Sequence, residues 1–109
     1  MVLAQLRYHE VDRLNERKHL MRCVLSVLGK DTSGIVARVA TTLADSGANI
    51  VDISQTLLDG IFSMTMIVDL DEAQATFNEV QERLNKAGED LGVQVKLQRE
   101  DLFLSMYKI

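Results

Sequence analysis

The dipeptide Asp59-Gly60 separates two runs in which apolar and polar residues alternate, and it limits the fold more than any other feature. Such alternation is typical of β-strands with one buried face. A type I′ turn needs positive φ at both central residues, and Asp-Gly tolerates this conformation. Residues 49–58 and 61–70 are therefore predicted to form an antiparallel hairpin. One face of its second strand carries Phe62, Met64, Met66 and Val68.

A helix is predicted on either side of this hairpin. Residues 33–46 form an aliphatic stripe, with Thr32 or Ser33 as the N-cap and Gly47 at the C-terminus. Residues 71–90 form a second stripe, with Asp71 and Gln74 as a capping-box-like pair. The stripe residues are Ile35, Val36, Val39, Ala40 and Leu43 in the first helix, and Phe77, Val80, Leu84 and Ala87 in the second.

The two halves of the chain repeat at a spacing of 41 residues, which relates Val39, Leu43 and Gly47 to Val80, Leu84 and Gly88. A further strand begins the first half, at residues 21–28, and another ends the second half, at residues 93–98. Two βαβ-like halves joined by a hairpin predict an α+β fold: a ferredoxin-like βαββαβ sandwich, with a four-stranded antiparallel sheet and two helices on one face.

The other face of the predicted sheet is polar. Its outward positions are Asp52, Ser54, Thr56, Ser63, Thr65 and Asp69. The apolar C-terminal segment, residues 101–109, needs cover for Leu102, Phe103, Met106 and Tyr107. Three occupants fit this face: solvent, a second subunit, or the C-terminal segment itself.

Charge and length indicate one acidic domain at residues 21–109. Residues 1–20 hold four of the 12 Lys/Arg and three of the 16 Asp/Glu, which leaves eight against thirteen for the rest. This balance disfavours nucleic-acid binding. Residues 1–20 are either an N-terminal arm or upstream sequence. A single cysteine, Cys23, and no apolar run of about 18 residues indicate a cytoplasmic protein that does not span a membrane.

The loop from Gly29 to Gly34, with the sequence GKDTSG, joins the first strand to the first helix. The N–H groups that open a helix favour an anionic group, so a ligand carboxylate fits there. Asp31 would receive a ligand ammonium group, and Asn49 would orient both. The alternative is a capped turn, because Asp, Thr, Ser and Gly serve that purpose in many loops. The loop is not a P-loop, because Ile35 and Val36 replace the Lys-Ser/Thr pair.

The stretch GKDTSGIVARVATTLADSGANIVDISQTLLDGIFSM resembles the ACT domain, most closely its small stand-alone bacterial and archaeal proteins of unassigned function. The same half is similar to the N-terminal regions of formyltetrahydrofolate deformylases and glycine-cleavage repressors. The resemblance implies a ferredoxin-like homodimer that binds an amino acid or similar small effector at the subunit interface, and it implies no catalysis. Thr32-Ser33 departs from the common Asp-Arg-Pro-Gly loop. The ligand region carried over from the family is Asp31, Ser33, Gly34, Ile35, Asn49 and Ile50.

Other chemistry has little support in the sequence. His9, His19 and Cys23 lack the paired spacing of a metal site, and no His accompanies the carboxylates as an acid/base partner. We therefore expect no catalytic residue, no metal and no cofactor. Two functions remain open: a regulatory module that senses an amino acid in a dimer cleft, and a ligand-free dimerisation or partner-docking domain. An RNA-binding module of this fold class lacks the stacking aromatics and the positive charge.

Overall fold

The computed structural model describes residues 20–106, so most of the predicted N-terminal arm and Tyr107 lie outside the described residues. Its elements, in chain order, are β1 (Leu20–Lys30), α1 (Ile35–Asp45), β2 (Asn49–Leu58), β3 (Ile61–Asp71), α2 (Phe77–Leu91), β4 (Val93–Arg99) and α3 (Glu100–Met106). The four strands form one antiparallel sheet in the order β2-β3-β1-β4. This order confirms the predicted ferredoxin-like βαββαβ fold.

The hydrophobic core lies between the sheet and the helices α1 and α2. Alternate residues of β1 point into it, and the predicted inward face of β3 is confirmed because all four of its apolar side chains are buried. The hairpin turn is also confirmed, with φ of 51° at Asp59 and 80° at Gly60. The buried aliphatic residues of the two helices are Ile35, Val39, Leu43, Val80 and Leu84.

Helix α1 ends as predicted but begins differently. Gly47, at φ 74°, donates its N–H to the Ala44 carbonyl at 3.0 Å, and Ala48 donates to the Leu43 carbonyl at 2.9 Å. These two bonds form a Schellman motif. The predicted Thr32 or Ser33 N-cap is wrong. Gly34 occupies the N-cap position at φ 84°, and no side chain caps the helix.

Helix α2 begins six residues later than predicted. Asp71 is still part of β3, where it pairs with Leu20, and its carboxylate accepts the Ala73 N–H at 3.1 Å in a turn. Thr76 is the N-cap, and its hydroxyl accepts the Glu79 N–H at 3.2 Å. The N-cap of α2 is therefore Thr76, with Glu79 three residues later, rather than Asp71 with Gln74.

The 41-residue repeat relates the helix stripes but not the two glycines. Gly88 lies inside α2, where an added Cβ would meet the Val93 carbonyl oxygen at 2.9 Å and the Val95 side chain at 2.8 Å. Gly92, at φ 72°, ends the helix instead. Gly88 thus permits close packing of α2 against β4, whereas Gly47 terminates α1.

The face of the sheet turned away from α1 and α2, which we call the outer face, is partly covered by α3. Val24 points to this face and is only 2% exposed. Helix α3 contacts β1 and β4, and the Gln98 side chain donates to the Met106 sulfur at 3.4 Å. The C-terminal segment therefore covers one end of the outer face, but none of its described side chains is itself buried.

Candidate functional site

The predicted ligand loop is held beside the tip of the β2–β3 hairpin. The Asp31 N–H donates to the Gly60 carbonyl at 2.9 Å, which fixes the path of the loop. Asp31, Ser33 and Gly34 are exposed, whereas Ile35 is buried in the core. Because α1 has neither a side-chain cap nor an acidic residue in its first turn, its N-terminus keeps the partial positive charge that attracts an anion.

Asn49 lies at the opposite end of the sheet from this loop. In the strand register, Asn49 is opposite Asp69, and Asp69 is opposite Arg22. The loop follows Lys30, which lies eight residues beyond Arg22 in β1. Eight strand residues correspond to roughly 26 Å. The structure thus brings Asp31, Ser33, Gly34 and Ile35 together at one end, and Asn49 and Ile50 together at the other.

A partly buried ion pair lies next to Asn49. The Arg22 guanidinium donates from Nε to Asp69 Oδ1 at 2.9 Å and from Nη2 to Asp69 Oδ2 at 3.1 Å. Asp69 is only 2% exposed, although the sequence pattern places it on the outer face. Sequence reasoning missed this pair. The sequence did contain a signal for it. Arg22 is a cation in an otherwise aliphatic strand, and the strand register sets it opposite Asp69, the only carboxylate in the predicted strand 61–70.

The strand that carries Asn49 is an exposed sheet edge. β2 is the first strand in the sheet order and pairs only with β3. Every residue from Asp52 to Leu58 is exposed, both those that point to the helix side and those that point to the outer face. Ile53 and Leu57 point to the helix side, yet neither helix covers them, and Leu58 is 72% exposed. An uncovered edge with aliphatic side chains is a surface that readily pairs with another strand.

Two open recesses lie elsewhere on the described chain, and none of the six predicted site residues lines them. One, of about 660 Å³, lies between α1 and α2. The other, of about 400 Å³, is lined by Leu20, Met21, Arg22, Glu72, Arg99, Glu100 and Asp101. Within residues 20–106, no three His, Cys, Asp or Glu side chains are grouped to hold a metal ion. No helix in that range is long and apolar enough to cross a membrane.

The family model of the ACT domain matches residues 22–98 of this chain. The chain belongs to the ACT domain family. A UPF0237 protein of Methanocaldococcus jannaschii is 49% identical over 90 residues, which span 83% of this chain and all of that protein. An ACT domain protein from Streptococcus pneumoniae is 41% identical in a solved structure with a TM-score of 0.67, which covers 76% of this chain and 93% of that one.

The predicted likeness to formyltetrahydrofolate deformylases extends to the fold. A deformylase from Burkholderia mallei superimposes with a TM-score of 0.66 at 14% identity, over 72% of this chain and 28% of that one. ACT domains are generally regulatory modules that bind small molecules such as amino acids. Membership of this family therefore makes the exposed loop and Asn49 the residues to test for ligand binding.

Proposed function

We propose that this protein is a regulatory module that binds an amino acid between two copies of the chain. The observation that carries the proposal is that the predicted ligand residues lie at opposite ends of an exposed edge strand. One chain alone separates the loop from Asn49 by roughly 26 Å of sheet. A second copy removes that separation.

Antiparallel pairing of β2 with β2 of a second copy joins the two ends. A two-fold axis at the middle of the edge sets the first residue of each β2 beside the last residue of the other. Asn49 of one copy then lies beside Leu58 of its partner, at the sheet end where the hairpin tip holds Asp31. The same pairing covers Ile53 and Leu57, which are exposed in one chain. A homodimer of this kind has two equivalent ligand sites.

The chemistry of each site suits a free amino acid. The N–H groups at the start of α1 bind the ligand carboxylate, and the Asp31 carboxylate of the same copy binds the ammonium group. The side-chain amide of Asn49 from the other copy bonds to either group. Charge-assisted hydrogen bonds contribute roughly 1.5–3 kcal/mol each, so two or three of them suffice for millimolar to micromolar affinity. No catalytic step, metal or cofactor is part of the proposal.

The exposed edge also favours a second candidate, a dimerisation or partner-docking domain that binds no ligand. Its support is the row of uncovered aliphatic side chains on β2, which is explained by strand pairing alone. Both candidates place the protein in the cytoplasm, where a lone thiol such as Cys23 stays reduced. They differ only in whether an effector changes the stability of the dimer.

A thermal-shift screen of the common amino acids at millimolar concentration separates the two candidates. We expect at least one amino acid to raise the melting temperature, because a ligand that binds only the folded state stabilises it. Ligand at ten times its Kd stabilises by roughly 1.4 kcal/mol, or about 5 °C for a domain of this size. Asp31→Ala and Asn49→Ala should each abolish the shift. Asn85→Ala, which removes an exposed amide on α2, should keep it. A dimer whose melting temperature no amino acid changes would support the ligand-free candidate.

Mixing the two inactive variants tests whether the site is shared between copies. In a mixed dimer of Asp31→Ala and Asn49→Ala chains, one site has lost both residues and the other has kept both. Random refolding of equal amounts of the two variants gives mixed dimers as about half of the sample, so binding should return at about one quarter of the wild-type stoichiometry. Isothermal titration calorimetry measures this stoichiometry. No return of binding in a confirmed mixed dimer would show that the ligand site does not combine these residues from two copies.

A further inference from the structure

We propose that the ligand is an amino acid with an aliphatic side chain, which lies against Leu57 of one copy and Ile50 of the other. This subsite rests on the proposed function, because the loop and α1 bind only the carboxylate and ammonium groups that all amino acids share. Leu57 is then the residue that selects one class of amino acid from the others. The support for it is an uncovered apolar surface between α1 and the β2 edge.

The side of β2 that faces the helix layer is uncharged along its length. Four residues of this described strand are opposite buried β3 residues in the register, and they therefore point to the helix side: Ile50, Ile53, Gln55 and Leu57. Leu57 is opposite the buried Phe62, yet 59% of Leu57 is exposed. A ligand side chain that covers Leu57 removes apolar surface from water, which is favourable.

The flank of α1 that faces β2 continues this apolar surface. With 3.6 residues per turn, Val36 and Ala40 lie on the opposite flank of the helix from Arg38 and Thr42. Arg38 turns toward α2, where its guanidinium donates to the Asp90 carboxylate at 2.8 Å. Val36 and Ala40 therefore face the β2 side, and both are partly exposed. Val36 belongs to the first turn of α1, next to the N–H groups proposed to bind the ligand carboxylate.

Leu57 lies close to the loop. It is opposite Phe62, and Phe62 is opposite Gly29, so two strand spacings, roughly 10 Å, separate Leu57 from the residue where the loop begins. The bond from the Asp31 N–H to the Gly60 carbonyl ties the loop to the turn between β2 and β3. Leu57 therefore lies between the loop and the open edge, on the path of a ligand side chain that points away from the loop.

The second copy places Ile50 beside the same ligand side chain. The pairing that sets Asn49 beside the partner's Leu58 also sets Ile50 beside the partner's Leu57. The bulge between Ile50 and Asp52 lets Ile50 and Leu57 point to the same helix side. Ile50 is partly buried against the core, so its position is fixed. Within one chain Ile50 and Leu57 lie at opposite ends of β2, so only two copies bring them together.

The charged groups of the neighbouring elements point away from this surface. Lys30 and Asp52 are on the outer face, since they are opposite Ile61 and Ile67, and Arg38 turns toward α2. A charged ligand side chain would lose water here without gaining a partner, which is unfavourable. An aliphatic side chain gains affinity instead, by about fourfold for each methylene group that is buried. Leucine and valine should therefore bind more tightly than alanine.

Isothermal titration calorimetry of the full chain with alanine, valine, leucine, aspartate and lysine tests the subsite. We expect leucine to bind at least tenfold more tightly than alanine, and the two charged amino acids to bind more weakly than alanine. Leu57→Ala should weaken leucine binding by about tenfold and alanine binding by less than twofold. A variant that only disturbed the dimer would weaken both equally. Ile61→Ala, which removes an exposed aliphatic side chain from the outer face, is the matched control and should change neither affinity.

Ile50→Val tests the contribution of the second copy. It removes one methylene group and should weaken leucine binding by about fourfold. An unchanged affinity for leucine would overturn the role of Ile50. Tightest binding of a charged amino acid, or equal losses for alanine and leucine in Leu57→Ala, would overturn the aliphatic subsite. Asp31→Ala would still abolish that binding, so the proposed function would stand. Failure of every amino acid to bind would overturn the proposed function and the subsite with it.

Discussion

Cys23 is expected to react with a thiol reagent at pH 8 about a thousandfold more slowly in the folded protein than in the unfolded chain. Its side chain is fully buried in β1, and burial raises the pKa of the thiol from 9.0 to about 12. The nearby Arg99 lowers this pKa and the nearby Asp69 raises it, but both effects are smaller than that of burial. Since the thiolate is the nucleophile, three pKa units remove most of the reactivity. Absorbance with a chromogenic disulfide, in buffer and in concentrated guanidinium chloride, measures both rates.

A Thr41→Cys variant provides the internal control, because Thr41 is exposed on α1. It should show one fast and one slow thiol in the same folded molecule. The raised pKa also predicts a pH dependence. The folded-state pKa lies above 9.0, so the stability linked to the thiol is present below pH 9 and is lost as the pH rises toward about 12. A Cys23→Ala variant should lack this loss. Two thiols that react equally fast in the folded Thr41→Cys protein would contradict the burial of Cys23.

The strand pairing was predictable because a β-strand has a period of two. Once Asp59-Gly60 defines the turn, the register follows residue by residue, and a shift by one position would expose Met64 and Met66. The helix stripes were predictable because apolar residues on one face of an α-helix recur with its own period, about 3.6 residues. Burial of one face is a property of each segment alone, so local sequence is sufficient to read it.

The helix starts were not predictable, because long-range contacts decide them. Ser33 and Gly34 differ by only a few tenths of a kcal/mol as N-caps. The bond from Asp31 to the Gly60 carbonyl fixes the loop, and Gly34 then turns the chain into α1 with a left-handed φ. In the same way, pairing with Leu20 extends β3 to Asp71, which delays α2 until Thr76.

The candidate site was predictable in composition but not in arrangement. Motif resemblance selects the loop and Asn49 without stating the distance between them. That distance follows from topology: the loop precedes α1 and Asn49 follows it, so the helix carries the chain from one end of the sheet to the other. Only the sheet order shows that β2 is an edge, and the proposed pairing with a second copy requires that edge.

Asp69→Ala is expected to lower the free energy of unfolding by roughly 2–3 kcal/mol. The substitution leaves the Arg22 guanidinium without the carboxylate that accepts two of its hydrogen bonds. The loss should fall below the 3–5 kcal/mol typical of fully buried pairs, because Arg22 remains 30% exposed and water screens part of its charge. Urea denaturation followed by circular dichroism measures the change. Since Asn49 lies opposite Asp69, the same variant should also weaken amino-acid binding.

Two further variants separate the buried pair from an ordinary surface interaction. Arg22→Met combined with Asp69→Leu should recover most of the lost stability, because an apolar pair needs no charge compensation in the same space. Asp90→Ala is the surface control. The hydrogen bond from Arg38 lowers the pKa of the Asp90 carboxyl, and the two groups meet at 2.8 Å, but both are well exposed. Its loss should change stability little. Equal losses in Asp69→Ala and Asp90→Ala would mean that the Arg22–Asp69 pair stabilises the fold no more than a solvated ion pair.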